Sequence, residues 1–196
     1  DMAVKNYEKA LAIKPDYAVA HYNLGIVLKE FGQRDTAVKS FEKALAIQPN
    51  YVKAHNNLGI TLMERGQLDH AIKHYEKAIA IKADYTSAHL NLSHLKKYTA
   101  NDTQITQMQS LISNSNLSQL DYINLNFALA KVYEDLGNQD ELFKFLHEGN
   151  RLRKEESNYS LDKPQNLFSI IKDLFSTLPT AIEQSLSFES STIRPI

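Results

Sequence analysis

AHNNLGITLMERGQLDHAIKHYEKAIAIKADY, residues 54–85, is the stretch on which the fold turns. Leu58 and Gly59 sit on one side of a first helical segment, and Ala71, Tyr75 and Ala78 share one face of a second; Gly66 stands between them. At one fixed offset up or down the chain, the same pattern returns. Leu24, Leu58 and Leu92 superpose, as do Tyr17, Tyr51 and Tyr85, Ile13, Ile47 and Ile81, and Ala10, Ala44 and Ala78. Pro15 and Pro49 fall opposite Ala83, and Gly25 and Gly59 opposite Ser93. Self-similarity with this 34-residue period is the signature of a stacked repeat, each unit reading helix, turn, helix, turn.

The residue types have physical reasons. In the preceding unit His21, Leu24, Gly25 and Leu28 line one face of the first helix, and Ala37, Phe41, Ala44 and Leu45 line the second, so the two stripes pack together. Gly25 and Ala44 are small where helices approach closely, and Phe41 fills the space beside them. Gly32 falls at a helix end, where only glycine takes a positive φ cheaply. Asp35 is placed to start the next helix, and Pro49 to stop it.

The unit resembles the tetratricopeptide repeat (TPR) family, whose pattern of Leu and Gly in helix A and Ala, aromatic and Ala in helix B is met by Leu58, Gly59, Ala71, Tyr75 and Ala78. It departs in having His21, His55 and His89 where Trp is frequent, and Ala83 for the closing Pro. The resemblance implies an all-α fold: a right-handed α-α superhelix of antiparallel helix pairs, closed by a C-terminal capping helix.

In this register residues 1–17 form a half-repeat, followed by repeats at 18–51 and 52–85, a degenerate unit at 86–119 and a divergent one at 120–155. A linker at 156–196 carries an amphipathic helix at about 164–178, with Leu167, Phe168, Ile171, Leu174, Phe175 and Leu178 in one stripe. The half-repeat would leave Ala3, Tyr7, Ala10 and Leu11 facing solvent, from which further repeat sequence before Asp1 is expected. In the divergent unit Leu125, Leu129, Tyr133 and Leu136 are assigned inward on one helix and Leu142, Phe143 and Leu146 on the next, with Gly137 at the turn.

From YEDLGNQDELFKFLHEGNRLRKEESNYSLD through LFSIIKDLF to RPI, the chain resembles the junction of bacterial proteins that join TPRs to a sulfotransferase domain. That resemblance implies a catalytic domain beginning about where this sequence ends. The expected function is therefore a non-catalytic interaction module, the N-terminal region of a TPR-containing sulfotransferase. The alternative is a stand-alone TPR scaffold or assembly factor.

Composition excludes much else. The 196 residues carry a formal net charge of -1, no cysteine and no run of 18 apolar residues, so neither nucleic acid nor membrane is an expected partner, and the expected location is cytoplasmic. All six glycines have repeat roles, leaving none for a phosphate-cradling loop, and no GxSxG, HExxH or GxxxxGK motif occurs. We expect no catalytic residue, no cofactor and no metal. His70 and His74 share a helix face but lack an evident third ligand, and His21, His55 and His89 lie too far apart to share an ion, so hydrogen-bonded packing is expected of them. Glu134 and Asp135 point about 100° apart and read as a solvated helix end.

Function then falls to the face of each helix A turned away from its partner. It holds Val19, Tyr22, Asn23, Ile26 and Lys29, then Lys53, Asn56, Asn57, Ile60 and Met63, then Leu90, Asn91 and His94. The family resemblance places this face on the concave side, as a groove for a protein or peptide ligand. A linked catalytic domain on the same chain would be a further, intramolecular partner.

Overall fold

A computed structural model describes residues 2–113 and 116–157; the expected 164–178 helix lies outside the described residues. Every regular element among them is an α-helix: α1 (Met2–Ile13), α2 (Ala18–Glu30), α3 (Arg34–Ile47), α4 (Val52–Glu64), α5 (Leu68–Ile81), α6 (Thr86–Ser93), α7 (Thr103–Ile112), α8 (Gln119–Asp135) and α9 (Gln139–Glu156). The pairs α2/α3, α4/α5 and α8/α9 pack most extensively, and α3 meets α4 as α5 meets α6. Each helical hairpin thus stacks on the next, and α2, α4, α6 and α8 lie side by side in one layer. This is the TPR-type α-solenoid expected from the 34-residue period.

Two buried clusters run through it. The first joins Leu24, Leu28, Phe41, Leu58, Leu62, Tyr75 and Leu92 across α2–α6; the second joins Tyr98, Met108, Leu125, Leu129 and Val132 across α7 and α8. The small residues of helix A are matched to rings of helix B. A Cβ on Gly25 would stand 2.7 Å from Phe41, and one on Gly59 2.6 Å from Tyr75. Hence the aromatic side chain occupies the volume the glycine leaves, a closer relation than two small residues meeting.

Turns repeat as faithfully. Gly32, Gly66 and Gly137 have φ of 74°, 74° and 70°, and the residue after each donates its amide to a carbonyl five back: Gln33 to Leu28, Gln67 to Leu62, Asn138 to Tyr133. That six-to-one closure is the Schellman geometry, which needs a left-handed residue at the glycine. Asp35 does not cap α3 as expected: Gln33 occupies the capping position, and Asp35, inside the first turn, pairs with Arg65 at 2.8 Å. Proline proves dispensable at the other end, since α3 and α5 have the same 14-residue length although Ala83 replaces Pro49.

Three further expectations are corrected. Ala3, Tyr7, Ala10 and Leu11 are half-buried, because α1 lies against α2 and Val4, Tyr7 and Leu11 pack on the first cluster. Phe143 is 62% exposed; the inward positions after Leu142 are Phe145, Leu146 and Gly149, the helical spacing of three, four and seven, and Phe145 stacks on Tyr133 with centroids 5.4 Å apart. Asp135 is not a solvated end either. Burial works to raise its pKa, but Lys131 at 2.8 Å and the Tyr98 amide at 3.1 Å outweigh it and hold the carboxyl below its ordinary value.

The stretch expected to be a degenerate unit departs from the earlier ones in an identifiable way. α6 stops at Ser93, where Gly25 and Gly59 stand in the earlier units, and runs 8 residues against 13 in α2 and α4. Without a glycine there, a ring cannot sit on the helix as Phe41 and Tyr75 do. The chain instead turns Tyr98 inward, where its hydroxyl donates to Gln104 at 3.0 Å. α6 packs against α8 far more than α2 does against α4, and Thr86 donates to Asp121 at 2.5 Å across that contact. Asp121 also closes a capping box with Ser118, fixing where α8 begins.

Candidate protein-binding groove

The side chains assigned to the groove divide into three groups once the helices are in place. Tyr22, Asn56, Asn57 and Asn91 are committed to holding units together. Asn57 Nδ2 donates to the Tyr22 hydroxyl at 3.2 Å, and Asn91 Nδ2 to Asn56 Oδ1 at 2.9 Å. Each pair is 35 residues apart, one more than the period, because a side chain on one helix A reaches the preceding position of its neighbour. Asn56 is 5% exposed, which corrects its reading as a ligand contact. Tyr22 is wedged between Phe41 and Tyr51, at centroid distances of 5.9 and 4.8 Å, and burial, followed by Tyr51 and Tyr85, pushes its hydroxyl up to about 12.

Ile26, Ile60, Met63 and Leu90 form the second group, each half-buried, the first three against one core cluster and Leu90 against the other. Val19, Lys53 and His94 point outward, with Val19 40% exposed, while Asn23 and Lys29 are intermediate. The face therefore offers apolar strips between adjoining helices, edged by cationic or imidazole groups. At its α8 end, Leu90 and His94 open onto a cavity of about 400 Å³ whose other walls are Phe127, Ala130, Leu142 and Leu146, with Arg153 at 5.6 Å over the Phe127 ring. Phe127 and Arg153 were missed in the sequence because the divergent unit slips out of register: two periods on from Gly66 stands Glu134, and the turn glycine comes only at Gly137.

The histidines resolve into hydrogen bonds. Nε2 of His21, His55 and His89 meets the carbonyl of Pro15, Pro49 and Ala83 at 2.9, 3.0 and 2.9 Å, tying helix A to the turn before it. His74 turns to His55, with Nδ1 to Nδ1 at 3.0 Å. Since a carbonyl only accepts, His55 carries its hydrogen on Nε2 and accepts from His74 at Nδ1. Burial first, then the neighbouring His55 and His70, lowers the His74 pKa to about 4, so the ring is neutral at neutral pH. Among the described residues no group of three His, Cys, Asp or Glu is placed to hold a metal ion, and no helix is long and apolar enough to cross a membrane.

Stacked helical hairpins with a side-chain ladder along one layer define a helical repeat array. Residues 16–84 match the tetratricopeptide repeat family model. Among solved structures, a crystal structure of MamA aligns at TM-score 0.59 and 22% identity over 80% of this chain and 90% of that one. The TPR-like repeats of a Podosopora anserina putative kinesin light chain align at 0.58 and 19%, over 80% and 87%. At these identities the likeness is one of fold. No curated protein matches the chain.

Proposed function

We propose that the α2–α4–α6 face is a concave groove that grasps an extended peptide or a partner helix. The observation that carries this reading is the recurrence of half-exposed apolar side chains, Ile26, Ile60 and Met63, on a face whose outer positions are Val19, Lys53 and His94. A solvated face has no need of such residues, and an extended surface of this kind is how repeat arrays bind. Binding rests on the outward and apolar groups, since Asn56, Asn57 and Asn91 are engaged between units.

In its finer form the module is the non-catalytic N-terminal region of a TPR-linked bacterial sulfotransferase, cytoplasmic, contacting the catalytic domain as well as an external protein. The resemblance of residues 120–196 to that junction supports it. A stand-alone scaffold fits the repeats equally well, and the sequence following Ile196 distinguishes the two. The groove is tested by panning a random peptide library on the wild-type chain and measuring the selected peptides against Lys53→Glu with His94→Glu. A loss of tenfold or more with unchanged melting is expected; equal binding refutes the groove.

A further inference from the structure

A second cavity lies away from the groove, between α1, α2 and α3, with a volume of about 650 Å³. Its floor holds His21, which is 8% exposed, and Ser40. Pro15 O accepts from His21 Nε2, so the tautomer that makes this bond presents Nδ1 to the cavity as an acceptor open to a donor. In the next two units that need is met from within: His74 Nδ1 donates to His55 at 3.0 Å, and Gln104 Nε2 donates to His89 at 3.2 Å.

The equivalent positions in the first unit are Ser40, one period before His74, and Thr36, two periods before Gln104. Both line the cavity. Ser40 spends its hydrogen on the Thr36 carbonyl at 3.0 Å, and among the described residues none donates to His21 Nδ1. The first unit thus lacks the planar donor group that fills the corresponding place in its neighbours, and the space remains. Leu11, Leu24 and Ile47 give it apolar walls. Glu8 and Asp16 at the rim offset Lys39 and Lys43, so no net charge selects an ion.

We propose that this cavity binds a neutral, planar heteroaromatic ring whose N–H donates to His21 Nδ1. Indole is the simplest probe, and indene, of the same shape without an N–H, is its control. Titration of the 15N-histidine-labelled chain should move the His21 ring resonances saturably. Indole should bind about tenfold tighter than indene, the worth of one hydrogen bond to the cavity-facing acceptor. Ser40→His supplies both ring and donor from the chain itself, and should abolish the indole response while raising the melting temperature. Should that variant fail to fold, Ser40→Ala, which keeps the space and the acceptor, should retain indole binding. Equal affinity for indole and indene, or no movement of His21 at millimolar indole, overturns the proposal.

Discussion

Gly59→Ala puts the packing argument at its sharpest. An added Cβ would lie 2.6, 2.9 and 3.0 Å from three atoms of the Tyr75 ring, each under ordinary van der Waals separation. Tyr75 is fully buried and cannot swing aside, so the overlap is relieved only by moving α4 from α5, at the upper end of the cost of overpacking, about 2–3 kcal/mol. Against this, alanine is a better helix former than glycine by about 1 kcal/mol. The net loss is about 1–2 kcal/mol, or a fall in melting temperature of roughly 3–6 °C for an array of this size. Urea unfolding followed by circular dichroism gives the value. Tyr75→Leu removes the ring, and on that background Gly59→Ala should be neutral or stabilising, so the cycle carries a coupling of about 2 kcal/mol. Gly32→Ala is the contrast: its Cβ meets nothing within 4 Å, its φ of 74° carries the whole penalty, and no partner substitution should rescue it. A Gly59→Ala variant of unchanged stability, or one as costly on the Tyr75→Leu background as beside the native ring, refutes the reasoning.

The other predictions follow the same logic. Tyr75 is buried and its hydroxyl finds no partner among the described residues, so Tyr75→Phe, matching Phe41 in the preceding unit, should stabilise by about 1 kcal/mol in the same unfolding assay. Asn91→Ala strands the buried Asn56 carbonyl and should cost about 1–2 kcal/mol, whereas Asn23→Ala, on the first helix of that layer, should stay within about 0.5 kcal/mol. The His74 pKa is lowered in the fold, and burial lowers those of His55 and His89 likewise, so the unfolded chain takes up protons first as pH falls. Stability is therefore complete above about pH 6.5 and drains away toward pH 4. With His74 partly open to solvent, its share is discounted to about 1 kcal/mol, and His74→Gln should flatten the fall in melting temperature between pH 7 and 5 accordingly.

The helix pairs, their glycine turns and the inward stripes through residue 92 were readable because each depends on local spacing, which a 34-residue period displays three times over. The misplacement of Phe143 arose from counting neighbours instead of helical steps, and the shortening of α6 from a single residue, Ser93, whose effect depends on a ring arriving from elsewhere. The groove was only partly legible. Asn23, Asn57 and Asn91 recur at the period, as ligand contacts would, yet recurrence also marks residues that join one unit to the next, and hydrogen bonds at 35-residue separation show Asn57 and Asn91 doing the latter. Sequence periodicity cannot separate a surface repeated for a partner from a contact repeated for the stack, since both fall on the same layer of helices.

That ambiguity has a counterpart on the opposite layer, where one position of the unit sets the character of each interval. Ser40, His74 and Met108 follow one another at the repeat period and are all buried or half-buried, and the helices carrying them keep the same order. Met108 closes its interval with an apolar side chain in the second cluster, and His74 closes its own with a hydrogen bond to His55. Ser40, too short for either, leaves about 650 Å³ beside an imidazole nitrogen that has no donor among the described residues. The backbone repeat is set by the glycines, the helix B aromatics and the histidine-to-carbonyl bonds, none of which involves this position. A side chain there can consequently vary among void, polar link and apolar plug while the backbone repeat is kept, and the stability it forgoes at Ser40 is what leaves room for a binding property.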